Sequence, residues 1–148
     1  MFIQVNTYSR KEFDSLGYNE LNVHTSKDYF ICINASGGIH NEPYFNLDHD
    51  NVLNMYFDDV LQDTIKYYGP TDSEYEFFAK ACTVTQIKEL YNFISKISDN
   101  SILHIYCTKG RSRSIAVAKY VNEYINHIDY TVEGYNQLVY DQLCLISK

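Results

Sequence analysis

Several things are missing from this chain of 148 residues, and each absence closes a class of function. Basic residues are too few for a broad nucleic-acid surface: the formal net charge is −7 and the sequence pI is near 5.1. No apolar run approaches the ~18 residues that a membrane span needs. The start, Met1-Phe-Ile-Gln-Val5, lacks the basic head and long apolar core of a signal peptide, so none is expected. The four cysteines (Cys32, Cys82, Cys107 and Cys144) form no Cys-x-x-Cys pair, which leaves a metal site or a disulfide framework without support. Internal repeats and low-complexity tracts are absent too. Tryptophan does not occur, against fifteen tyrosines, a bias that with the abundant Asn, Ile and Lys suggests an AT-rich genome such as that of a phage or low-GC bacterium. Hydrophobic residues at 45% and charged residues at 21% describe a globular chain, and its length fits a single domain over residues 1–148. The expected setting is soluble, reducing and cytoplasmic.

Arginine is scarce as well, and its placement is informative. Of three arginines, Arg10, Arg111 and Arg113, two fall in one short loop. That loop lies in Ser101-Ile-Leu-His-Ile-Tyr-Cys107-Thr-Lys-Gly110-Arg-Ser-Arg113-Ser114. The apolar run Ile102 to Tyr106 reads as a buried strand. Val117, Ala118, Val121 and Ile125 then recur at the spacing of a buried helix face. A strand, a loop with Gly110 and a helix start make an anion site, because loop amides and the unpaired N–H groups of the first helical turn converge where the helix dipole favours negative charge. The loop residues Thr108, Lys109, Gly110, Arg111 and Ser112 would surround that anion. A thiol of ordinary pKa about 8.5 is lowered by such surroundings, so Cys107 is expected to be a thiolate near neutral pH. Arg113 offers a planar fork for two phosphate oxygens. These parts predict in-line attack by Cys107 on a phosphomonoester, with a phosphocysteine that water then hydrolyses.

Cys107-Thr-Lys-Gly-Arg-Ser-Arg113-Ser114 resembles the Cys-x-x-Gly-x-x-Arg-Ser signature of the cysteine-dependent tyrosine and dual-specificity phosphatases. The resemblance implies Cys107 as nucleophile, Arg113 as phosphate clamp and Ser114 as the hydroxyl that stabilises the departing thiolate. It also implies a metal-free reaction with no cofactor. One position departs from the pattern: Tyr106 stands where the family has a His that orders the loop and lowers the thiol pKa, which points to a weaker or more alkaline activity.

Elsewhere, strands are expected at Phe2–Val5, Asp28–Asn34 and Val52–Phe57, with a helix capped by Ser9 and running to Leu16. Ile33-Asn34-Ala35 is similar to the Leu-Asn-Ala/Val strand end of the same family. His40 and His49 read as solvated loop residues. A tyrosine leaves as a phenolate of pKa ~10 unless protonated, so a carboxylic acid should stand over the loop. By resemblance the segment Phe57-Asp58-Asp59-Val60 supplies it, with Asp59 aligned to the acid, Asp58 in reserve, and Asp63 and Asp72 as alternatives. Residues 61–81 form an aromatic insert readable as a lid, a packed excursion or a partner surface. Thr83 and Gln86 make a capping box for a helix bearing Ile87, Leu90, Tyr91, Ile94 and Ile97 on one face. A last amphipathic helix is expected over Val132–Ile146. In it Asn136-x5-Gln142-Leu143 resembles the closing helix of the dual-specificity branch, where the Asn bonds to the phosphate loop.

The expected fold is α/β: a central, mostly parallel sheet of four or five strands flanked by helices, of the dual-specificity-phosphatase type. The leading substrate is a phosphorylated protein, through phosphotyrosine. Lys109 and Arg111 keep phosphoinositides or RNA 5′-phosphates open as alternatives, and an inactive phosphate-binding module or a sulfur-transfer domain stand as readings of other classes. A disulfide between an oxidised Cys107 and Cys32 or Cys144 is a further expectation.

Overall fold

The structure is a computed structural model that describes residues 1–37, 42–60 and 80–148. The alternatives Asp63 and Asp72, His40 and residues 61–79 of the insert lie outside the described residues. Four strands form the sheet: β1 (Ile3–Ser9), β2 (Tyr29–Asn34), β3 (Val52–Tyr56) and β4 (Ser101–Cys107). Their order is β1-β4-β2-β3 and every pairing is parallel. All four carboxyl ends therefore lie at one end of the sheet, with that of β4 in the interior.

The inner strands are apolar on both faces because helices cover both. Pleating sends Ile31 and Ile33 of β2 and Leu103, Ile105 and Cys107 of β4 into one core. Phe30, Cys32 and Tyr106 enter a second core on the opposite face. Cys32 thus faces away from Cys107, and the pleat argues against a disulfide between them. The outer strand β1 runs four residues past Val5, through polar Asn6 and Thr7. Its register with β4, from Ile3 opposite Ser101 to Ser9 opposite Cys107, supplies the backbone partners that let polar residues remain extended.

On the second face lie α1 (Arg10–Asp14) and α2 (Glu20–Thr25). In α1 the Ser9 hydroxyl accepts from Glu12 N at 3.0 Å while the Glu12 carboxylate accepts from Ser9 N at 2.8 Å, a reciprocal cap. The helix stops short of Leu16, and Gly17 follows with φ +79°. Helix α2 has only Val23 buried, so no apolar period announces it. His49 is packed rather than solvated: its side chain is 4% exposed and Nε2 lies 2.7 Å from Glu20 Oε1.

The first face carries α3 (Val84–Ser95), α4 (Arg113–Tyr120) and α5 (Gln137–Ile146). Thr83 and Gln86 cap α3 as the sequence indicates, with Ile87, Leu90 and Ile94 buried. The end of α4 widens into a π turn, Val121–Ile125, which brings Asn126 to β1. There Asn126 accepts from Ile3 N and donates to Ile3 O, both at 2.7 Å. Helix α5 starts at Gln137, not Val132: Gly134 sits at φ +78° and Asn136 caps the helix by accepting from Val139 N at 3.0 Å. Among the described residues no helix is long and apolar enough to cross a membrane.

Candidate active site

At the carboxyl end of β4 the chain turns through Thr108–Ser112 into α4. Gly110 has φ +68°, and a Cβ there would lie 2.5 Å from both Ser9 N and Tyr8 C. Only glycine lets the loop lean this closely on the end of β1. The loop opens onto a cavity of about 310 Å³ lined by Cys107, Thr108, Lys109, Arg111, Ser112 and Arg113 together with Ala35, Asp58 and Asp59. Lys109 and Arg111 also line a neighbouring cavity of about 630 Å³ beside Ser9 and Glu12.

Cys107 is 2% exposed, with Sγ 3.2 Å from the Ser114 hydroxyl. Burial alone pushes its thiol up. The Ser114 hydroxyl and amide, the Arg113 charge and the Ser112 amide outweigh that and hold it below the ordinary thiol value. Cys32 shows the opposite balance: complete burial outweighs the Tyr106 hydroxyl and the Arg10 charge and pushes that thiol up to about 12. Arg113, the first residue of α4, is 7% exposed. Its Nη1 donates to Phe57 O at 2.8 Å, and its Nε is buried with no hydrogen-bond partner among the described residues. Leaving a buried guanidinium N–H unmet is costly, by about 1–3 kcal/mol or more for a charged group, and an anion in the cavity would meet it.

The two adjacent aspartates differ in how they are held. Both oxygens of Asp58 are occupied: Oδ1 accepts from Ser36 N at 3.1 Å, and Oδ2 from the Ser36 hydroxyl at 2.5 Å and Lys80 N at 2.7 Å. Asp58 therefore works as a bracket tying the turn after β2 to the approach to α3. Asp59 takes two bonds on one oxygen: Oδ1 accepts from the Ser112 hydroxyl and from Asn136 Nδ2, each at 2.7 Å. Asn136 also donates through Nδ2 to Val60 O at 3.2 Å. Its contact with the loop runs through its main chain, with N donating to Ser112 O at 3.1 Å, while its side chain holds the segment bearing Asp59.

Tyr106 is 1% exposed and points to the face opposite Cys107. Its hydroxyl donates to Asn34 Oδ1 at 2.6 Å and accepts from Tyr44 N at 3.3 Å. Sequence reasoning missed Ser36 as the partner of Asp58 and Tyr44 as a partner of Tyr106. Ser36 follows the Asn34-Ala35 strand end, and its partner Asp58 lies 22 residues on, so nothing local marks the pair. Comparison with known proteins adds no relative: no family model, no curated protein and no solved structure matches the chain.

Proposed function

We propose that the protein is a cysteine-dependent phosphomonoester hydrolase of the dual-specificity type, acting on phosphotyrosine in proteins in a reducing, cytoplasmic setting. The observation that carries this reading is the pairing of a buried, low-pKa Cys107 thiol with a buried Arg113 whose Nε has no partner among the described residues. The four cysteines are free, which suits a reducing compartment.

In the first step the Cys107 thiolate attacks phosphorus, the bond from phosphorus to the ester oxygen breaks, and that oxygen takes a proton from Asp59. Asp59 Oδ1 is engaged by Ser112 and Asn136, so Oδ2 is the oxygen to carry the proton. Arg113 and the loop amides hold the equatorial oxygens as charge builds on them. In the second step water attacks phosphorus and gives a proton to Asp59, the sulfur–phosphorus bond breaks, and inorganic phosphate leaves. The Ser114 hydroxyl, already against Sγ, and the start of α4 stabilise the departing thiolate.

The test is hydrolysis of p-nitrophenyl phosphate and of phenyl phosphate with chelator present, from about pH 5 to 8, a range that brackets a lowered thiol pKa. The expected result is turnover that survives chelation and vanishes in Cys107→Ser. Asp59→Asn should slow phenyl phosphate, with its poorer leaving group, far more than the activated ester. Phosphate binding without turnover in the wild type would replace this reading with a phosphate-binding module.

A further inference from the structure

Arg10, the third arginine of the chain, opens α1 at the carboxyl end of β1 and meets the loop's supports by two routes. The first is through its main chain: Arg10 N donates to Thr108 O at 3.2 Å. A trans peptide sets its N–H opposite its C=O, so this bond turns the Lys109 amide away from β1. The second is through the guanidinium. Nη1 donates to Glu42 O at 2.7 Å, and approaches Asn34 Oδ1 and the Tyr106 hydroxyl, each at 3.3 Å. Its Cζ lies 5.1 Å from the centre of the Tyr106 ring and 5.7 Å from that of Tyr44.

From Asn34 the connections continue to the clamp. The Asn34 main-chain oxygen accepts from Phe57 N at 3.0 Å, and Phe57 O accepts from Arg113 Nη1 at 2.8 Å. The Asn34 side-chain amide meanwhile donates to Cys32 O at 3.3 Å and Met55 O at 3.2 Å, fixing β2 against β3. Tyr106 is the joint of this chain. Its hydrogen goes to Asn34, which leaves its oxygen to receive Arg10 and Tyr44. Burial raises the Tyr106 phenol far above its ordinary value, so it remains a neutral donor at every working pH.

We propose that Arg10 is a positioning residue for the oxyanion site: with Tyr106 and Asn34 it fixes the Phe57 carbonyl on which Arg113 is braced. Arg10 stands behind the loop and acts on the anion only through its neighbours. The inference rests on the hydrolase reading of the site, and it gives Tyr106 a task of its own at the position where the resembling family has a His.

The test measures affinity for tungstate, an unreactive tetrahedral oxyanion, by calorimetry, with melting temperature alongside. The proteins are the wild type, Arg10→Met, Arg10→Lys, Tyr106→Phe and the Arg10→Met/Tyr106→Phe double variant. Arg10→Met is expected to weaken tungstate about tenfold. Arg10→Lys should restore most of that, because an ammonium has three donors for three acceptors. Tyr106→Phe keeps the ring volume, which guards against misfolding, and should weaken tungstate by a smaller factor. The double variant should be no weaker than Arg10→Met, since both act along one chain of bonds. Variants that melt lower yet bind tungstate like the wild type would overturn the proposal, and so would losses that simply add. A wild type that ignores tungstate would overturn the hydrolase reading itself, and the positioning role with it.

Discussion

The two faces of β4 end one residue apart and are made of different material. Beneath Cys107 lie Leu103, Ile105, Ala116, Val117 and Val139, an aliphatic core with the Ser114 hydroxyl at its rim. Beneath Tyr106 lie Phe13, Phe30 and Phe45, with ring centres 5.0 to 6.1 Å apart around Phe13. Polar groups thread this second face, including His104, whose Nδ1 is 2.9 Å from the Tyr8 hydroxyl and whose Nε2 is 2.8 Å from Asp28 Oδ2. On the first face a few donors at the edge lower a thiol; on the second, Arg10, Asn34 and Tyr106 tie the end of β4 to its neighbours. The lowered thiol and the polar bracing thus lie on opposite sides of one strand.

Three variants probe that division. The largest effect is expected from Gly110→Ala, which strikes the contact with β1 at a positive φ. The added carbon must push the loop off Tyr8 and Ser9, and a shift on the order of 1 Å costs about 10²-fold in turnover, read as kcat/KM. Retention of activity would mean that β1 does not set the loop. Next comes Phe13→Ala on the aromatic face, expected to cost about 3–5 kcal/mol in denaturant unfolding. The pH midpoint of Cys107 alkylation by iodoacetamide should stay where it was, and a moved midpoint would break the separation of the faces. The smallest change in stability, about 1 kcal/mol, is expected from Ser114→Ala on the aliphatic face. Here the alkylation midpoint should rise. Because the folded thiol lies below its ordinary value, its ionisation stabilises the fold above about pH 8.5, and that contribution is lost as pH falls through the folded value. Ser114→Ala narrows that window, so the pH dependence of melting should flatten.

What the sequence disclosed follows the range of each interaction. The run from Ser101 to Ser114 was legible because strand, glycine turn and helix start are local events written in consecutive residues. The boxes at Ser9 and Thr83 were legible for the same reason, each spanning three residues. Helix α2 escaped notice with a single buried residue, and the start of α5 was set too early because Val132 fits the apolar period while Gly134 ends it. Neighbouring Asp58 and Asp59 look alike in sequence, and only Ser36, Lys80, Ser112 and Asn136, all remote in the chain, set their environments apart. Arg10 was invisible as a support because its partners Asn34 and Tyr106 lie 24 and 96 residues away.

The parallel ladder between β1 and β4 has a consequence for how the protein is made. Ile3 finds its partner in Ser101, so β1 has no neighbour in the sheet until β2, β3 and then β4 have been made. Pairings of such long sequence separation are slow to close. Until β4 inserts between β1 and β2, both present bare edges that invite association with other chains. Cys107 sits on the strand that fills the gap, so its thiol gains its donors at the step that removes those edges. A newly synthesised chain acquires its lowered thiol only as it ceases to be sticky.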